Sequence, residues 1–156
     1  MTLHGIGIDV VEVERIAAAI ERHGEVFLAR LFTPAERAYC TSKKVSSIHY
    51  AARFAAKEAV AKALGTGIGS HANWLDLEIT HDAAGAPKLL LHDSAAAFAN
   101  THGIAEIQIS LTHAKAYAAA SAIAIKHLKS GPPADPADSL SDTGNQQLTT
   151  NRPPPP

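Results

Sequence analysis

IHYAARFAAKEAVAKAL, residues 48–64, is the stretch from which the fold is read. It is rich in alanine, the strongest helix former, and Gly65 follows as a stop signal. Phe54, Ala55, Val60, Ala61 and Leu64 occupy much of the circumference of the helix this predicts. Such a helix is enclosed by other elements, so some of its charges, Arg53, Lys57, Glu58 and Lys62, sit at a packed boundary. Arg53 and Lys57 are i,i+4 neighbours, as are Glu58 and Lys62 in the favourable acid-before-base order. Ordinary pairing on a helix surface, worth about 0.3–0.5 kcal/mol, is one account of them. A charge at a packed boundary asks for another.

Working outward from this helix, LHGIGIDVV (3–11) reads as a short β-branched strand. Period two puts Gly5, Gly7 and Asp9 on one face, which leaves room for something to approach the backbone beside a carboxylate. Asp9 also lies just before a helical pattern, where it would serve as an N-cap. Val13, Ile16, Ala17 and Ile20 keep helical spacing over 12–23, with Gly24 as the expected stop. Arg15 and Arg22, seven apart, share one side of that helix with Glu14 and Glu21 nearby, the pattern of a solvated mixed-charge face. FTPAERAYC (32–40) carries a capping box, with Thr33 as N-cap, Pro34 at N1 and Glu36 at N3, and TSKKVSS (41–47) reads as a basic loop.

Downstream, GTGIGS (65–70) is a glycine-rich loop that lacks both the third glycine of a dinucleotide fingerprint and the Gly-Lys-Ser/Thr ending of a Walker loop. WLDLEITH (74–81) alternates as a strand with Asp76 and Glu78 outward. KLLLH (88–92), IAEIQISLTH (104–113) and YAAASAIAIKH (117–127) are further strands, and DSAAAFANTHG (93–103) is a short helix. The order β-α-α-α-β-β-α-β-β fits an α+β domain with helices packed on an antiparallel sheet.

Composition bounds the function. Of 156 residues, the last 29 hold seven of the nine prolines and few apolar side chains, which predicts a disordered tail over 128–156 and one working domain over 1–127. The tail takes two of the 14 basic and three of the 15 acidic residues, so the domain is charge-balanced and a poor candidate for nucleic-acid binding. A single cysteine, Cys40, excludes a disulfide framework and a cysteine-based zinc site. No apolar run reaches the roughly 20 residues of a membrane span, and the N-terminus lacks a basic leader, so a cytoplasmic location is expected.

Nine histidines occur, no two within four residues, so no HExxH-type pair exists; His113, at a strand end, reads first as a hydrogen-bonded structural residue. A GxSxG elbow is also missing, which leaves a serine hydrolase without support. The acids fit metal chemistry better. Asp9 and Glu58, among Arg53, Lys57 and Lys62, would supply the one or two carboxylates that magnesium takes, with the bases holding a polyphosphate, if strand and helix meet.

The strings GIGIDVVEVERI (5–16), FTPAERAYC (32–40), RFAAKEAVAKALGTGI (53–68), WLDLEI (74–79), GAPKLLL (85–91) and SLTHAKAYAAASAIA (110–124) together resemble the holo-[acyl-carrier-protein] synthases, the short bacterial 4′-phosphopantetheinyl transferases. The resemblance implies transfer of phosphopantetheine from coenzyme A to a serine of apo-acyl carrier protein, in the service of fatty acid biosynthesis, with release of adenosine 3′,5′-bisphosphate. It implies Asp9 and Glu58 as Mg²⁺ ligands and Lys62 as the group that stabilises the transition state. Arg53, the Lys43/Lys44 loop, Lys57, Gly65 and the segment Ser110, Thr112 and His113 become the coenzyme A envelope. Arg15 and Arg22 become the face that docks the acidic helix of carrier protein. The family is also homotrimeric, with active sites between subunits. Longer pseudodimeric relatives carry a further acid two residues after the aspartate, where this chain has Val11. Two other functions stay open: a different Mg²⁺-dependent phosphotransferase, and a non-catalytic module that binds carrier protein or coenzyme A.

Overall fold

A computed structural model describes residues 1–127; the tail expected over 128–156 lies outside the described residues. The elements follow the order β1 (Thr2–Glu12), α1 (Val13–Leu31), α2 (Pro34–Thr41), α3 (Ser46–Leu64), a 3₁₀ turn (Trp74–Asp76), β2 (Leu77–His81), β3 (Pro87–Leu91), α4 (Asp93–Thr101), β4 (Ile104–His113) and β5 (Tyr117–Lys126). The expected α+β architecture is present, but the strands divide into two antiparallel sheets. One is three-stranded in the order β1-β5-β4, and the other is the β2-β3 hairpin. No helix among the described residues is long and apolar enough to cross a membrane.

Helix α3 lies against the three-stranded sheet and is buried along most of its length. Small residues make the approach close. A Cβ added at Gly7 would lie 1.8 Å from the Ala59 carbonyl oxygen, and one at Gly5 would lie 2.2 Å from that of Ala63. Only glycine on the strand and alanine on the helix permit that spacing. The inner face of β5 is equally slim, with Ala118, Ala120, Ala122 and Ala124 all buried. Asp9 shares the inner face with Gly7 and Val11, because the strand alternates.

The outer face of the same sheet is apolar and open. Ile6, Ile8 and Val10 are 63, 65 and 60 % exposed, and Ile123 and Tyr117 lie alongside them on β5. Patches of this kind on a folded chain mark interaction surfaces.

Three local expectations need correcting. Gly24 does not end α1; it adopts φ 54° and ψ −136°, kinks the chain, and lets a further helical segment bury Leu28 and Leu31. The 41–47 loop is shorter than expected, since α2 runs to Thr41 and α3 starts at Ser46. Asp76 does not point outward from a strand: it ends a 3₁₀ turn, is buried, and accepts hydrogen bonds from Asn73 N–H and Ser94 Oγ–H. The capping box of α2 is present as read, with Thr33 N–H donating to Glu36 and Glu36 N–H to Thr33 Oγ1.

Candidate active site

The strand–helix contact brings Asp9 to α3. Lys62 Nζ donates to Asp9 Oδ1 at 2.8 Å and to the Ile8 carbonyl at 3.0 Å. Lys62 therefore pairs across to the strand rather than with Glu58 one turn earlier on its own helix. Asp9 is not an N-cap either: Glu12 occupies that position of α1 and makes no side-chain cap. Glu58 lies within reach of the Asp9 charge. Its carboxyl is held above the ordinary carboxylate range, first by burial and then by Asp9, with Lys62 acting in the opposite direction. A carboxyl whose ionisation is made costlier by burial and by the neighbouring Asp9 charge, with the Lys62 ammonium beside it, forms a place where a further cation is stabilised.

Among the described residues no three histidine, cysteine or acidic side chains converge on one point. The donor set is thus two carboxylates. That is too few for a closed zinc centre and suits a hard cation that fills its shell with water and substrate oxygens.

A second cluster lies at the start of α3. Arg53 is 3 % exposed, and its guanidinium carbon sits 4.1 Å from the centroid of the Tyr39 ring. Lys43 Nζ lies 4.3 Å from the centroid of that ring. His113, on the inner face at the end of β4, meets His49 edge-on with ring centroids 5.5 Å apart. Lys44, on the same loop as Lys43, is exposed.

Lys57 leaves the coenzyme A set. It is fully buried, and its ammonium donates at 2.7 Å to each of three acceptors: the Leu31 carbonyl, Glu36 Oε2 and the Trp74 carbonyl. All three of its N–H donors are spent inside the fold, so none remains for a phosphate. The buried Lys57–Glu36 pair staples α1, α2, α3 and the 3₁₀ turn together; Glu36 also accepts from Ile79 N–H. Sequence spacing could not separate Lys57 from Lys62, because the distinction depends on which elements close over each face.

Gly65 caps α3 in the left-handed conformation at φ 77° and ψ 12°, and its N–H returns to the last turn. Ser110 and Thr112 stand opposite Ser121 and Ala119, on the outer face with Ile8 and Val10. A single chain therefore does not bring them to Asp9, which is on the inner face. Arg15 and Arg22 are both exposed on α1, and neither makes an ion pair among the described residues. Sequence reading missed Tyr39, His49 and His81, whose importance comes from stacking around Arg53 and has no signature in local spacing.

The model of the 4′-phosphopantetheinyl transferase superfamily matches residues 5–122. The holo-[acyl-carrier-protein] synthase of Moorella thermoacetica is 50 % identical over 117 residues, covering 75 % of this chain and 90 % of that protein. The crystal structure of the Neisseria meningitidis holo-[acyl-carrier-protein] synthase has a TM-score of 0.76 at 32 % identity, over 80 % of this chain and all of that one. The Helicobacter pylori enzyme in complex with coenzyme A matches at a TM-score of 0.69 and 32 % identity, over 77 % of this chain and 99 % of that one. With the glycine-lined strand, the paired acids and Lys62 arranged as above, these matches show that the chain belongs to the 4′-phosphopantetheinyl transferase superfamily.

Proposed function

We propose that this chain is a holo-[acyl-carrier-protein] synthase: it moves the 4′-phosphopantetheine arm of coenzyme A onto a serine of apo-acyl carrier protein, in support of fatty acid biosynthesis. The observation that carries the reading is Lys62 locked to Asp9 across the glycine-lined contact, with Glu58 on the adjoining turn. The names of the relatives and the coenzyme A held by a structural neighbour point to the same substrates.

Asp9 and Glu58 are the residues that would hold Mg²⁺, and the cation bound there would neutralise pyrophosphate charge. The serine oxygen of the carrier attacks the β-phosphorus of coenzyme A. A new P–O bond forms to serine while the bond to the bridging oxygen breaks, and adenosine 3′,5′-bisphosphate departs. Lys62, 47 % exposed at its side chain, can turn from Asp9 to the developing negative charge on the leaving phosphate. Glu58 accepts the serine proton directly or through a water.

Arg53, Lys43, Lys44 and His113 supply positive or protonatable groups for the rest of coenzyme A, while Ser110, Thr112 and Gly65 complete the envelope. Arg15 and Arg22, free on α1, fit an acidic carrier helix. The outer sheet face of Ile6, Ile8 and Val10 favours a homotrimer, in which Ser110 and Thr112 of one copy approach the acids of the next. The test is mass spectrometry of apo-carrier protein incubated with the chain, coenzyme A and Mg²⁺. One phosphopantetheine should be added, and Asp9→Ala or Glu58→Ala should abolish the addition. Undiminished transfer by both variants would refute the metal assignment.

A further inference from the structure

His49 and His81 have no part in the reaction just described, yet they help enclose its most isolated charge. The Nε–H of Arg53 is buried and meets no acceptor among the described residues, and Arg53 forms no ion pair among them. Its guanidinium lies on Tyr39, whose ring stacks on His81 at 4.7 Å and meets His49 edge-on at 5.9 Å. With Lys43 over the same ring and His113 against His49, a second cation and three imidazoles gather around the Arg53–Tyr39 stack. Buried positive charge without a counter-ion is costly, so the arrangement is built around an anion that arrives with a ligand.

We propose that His49 and His81 are proton-coupled binding residues for the 3′-phosphate of coenzyme A, held at Arg53. The choice of ligand rests on the coenzyme A reading above. Coenzyme A carries two kinds of anionic group. Its pyrophosphate, where the bond breaks, belongs with Lys62 and the two carboxylates. Lys62 is nine residues from Arg53, which is two and a half helical turns, so the two side chains leave α3 on opposite sides. The remaining group is a phosphate monoester, which becomes dianionic near a pKa of about 6 and therefore rewards an imidazolium beside it more than a diester would.

The surroundings set the sign. His49 is held below the ordinary imidazole range first by burial, then by His113, Arg53, Lys43 and His81. His81 is lowered first by burial and then by Arg53 and Lys43, with Asp82 pulling it upward. Both are therefore biased toward the neutral form in the free chain. A dianion among the same cations cancels their repulsion and raises both imidazoles, so binding takes up protons. Affinity falls as pH rises above neutrality, while the monoester itself stays dianionic.

The experiment is titration calorimetry of the full chain at pH about 7.2 in two buffers of different ionisation enthalpy, at fixed Mg²⁺, with coenzyme A and with dephospho-coenzyme A. Coenzyme A should bind with net proton uptake and dephospho-coenzyme A without it. Coenzyme A affinity should fall about three- to tenfold between pH about 6.5 and about 8. His49→Gln with His81→Asn should abolish both the uptake and the slope. Equal proton uptake with the two ligands, or uptake that survives in a folded double variant, overturns the role of these histidines and leaves the transferase reading standing. Failure of the wild-type chain to bind either ligand overturns the coenzyme A reading together with this one. The comparison of two ligands on the wild-type chain needs no variant to fold.

Discussion

Replacing Lys57 with methionine separates a structural lysine from a substrate-binding one. Lys57 and Glu36 are both fully buried and bonded at 2.7 Å. Methionine fills similar volume but leaves Glu36 with the N–H groups of Thr33 and Ile79 alone, and strips the Leu31 and Trp74 carbonyls of their donor. Breaking one partner of a buried pair costs about 3–5 kcal/mol, because the survivor stays charged and desolvated. For a domain of this size, with a urea slope of about 1.5 kcal/mol per molar, the midpoint should fall by about 2–3 M. Glu36→Gln combined with Lys57→Met should recover part of the loss, giving a coupling of at least about 1 kcal/mol in a double-mutant cycle. The second readout is KM for coenzyme A, measured at low temperature where Lys57→Met is folded. It should match wild type, whereas Arg53→Met should raise it. A midpoint shift below about 0.5 M together with a tenfold rise in KM would refute the reasoning, since a lysine reaching coenzyme A cannot have spent its donors inside the fold.

Three further outcomes follow from the same geometry. Glu58→Gln should abolish transfer and yet stabilise the metal-free chain at pH 7 by less than about 1 kcal/mol, read as a rise in Tm, because the side chain is partly solvated and screened. The sign comes from linkage: with Glu58 raised above its ordinary 4.5, the native state binds more protons than the unfolded chain, so wild-type stability falls as pH rises through that interval and the glutamine variant loses this slope. Gly7→Ala places a Cβ 1.8 Å from the backbone oxygen of Ala59, which cannot rotate away, so β1 and α3 must part; a loss of about 3 kcal/mol or more is expected in chemical denaturation, with lower transfer activity because Asp9 moves away from Lys62. Ile8→Asp should leave each chain folded by circular dichroism and yield monomers by light scattering, since Ile8 is 65 % exposed on the apolar outer face.

Much of this architecture is legible in the sequence because its local signals agree. The alanine-rich stretch, the Thr33–Glu36 box and the alternation of Gly5, Gly7 and Asp9 each predict an element that is present. The meeting of Asp9 with Glu58 and its basic neighbours is conditional on strand meeting helix, and the glycines let the strand come close enough for Asp9 to reach Lys62. What failed depended on tertiary closure. Gly24 has the chemistry of a stop, but Leu28 and Leu31 gain burial by continuing past it. Asp76 alternates as an outward strand residue, yet the 3₁₀ turn withdraws it to cap its own backbone and receive Ser94. Lys57 and Lys62 look alike on a helical wheel, and only the positions of α1, α2 and the 3₁₀ turn decide that one is interior. The ring cluster around Arg53 joins residues from α2, α3, β2 and β4, a grouping that no window of sequence contains.

The placement of these groups also decides how a trimer would share its substrate. In one chain Lys62, paired with Asp9 of β1, and Arg53 leave α3 in opposite directions, separated by roughly 13 Å of helix. The 3′-phosphate and the pyrophosphate of coenzyme A hang on one ribose, a few bonds apart, and would have to reach around α3 to use both. A neighbouring copy removes the difficulty if its Arg53 cluster faces the acids of the first. Complementation tests this arrangement. Asp9→Ala and Arg53→Ala chains, each defective alone, should regain activity when unfolded together and refolded as mixed trimers. At equal proportions an interface joins an intact Asp9 side to an intact Arg53 side about one time in four, so recovery should approach about a quarter of wild-type activity. Both residues acting from the same chain would give no recovery, because every copy in the mixture lacks one of them.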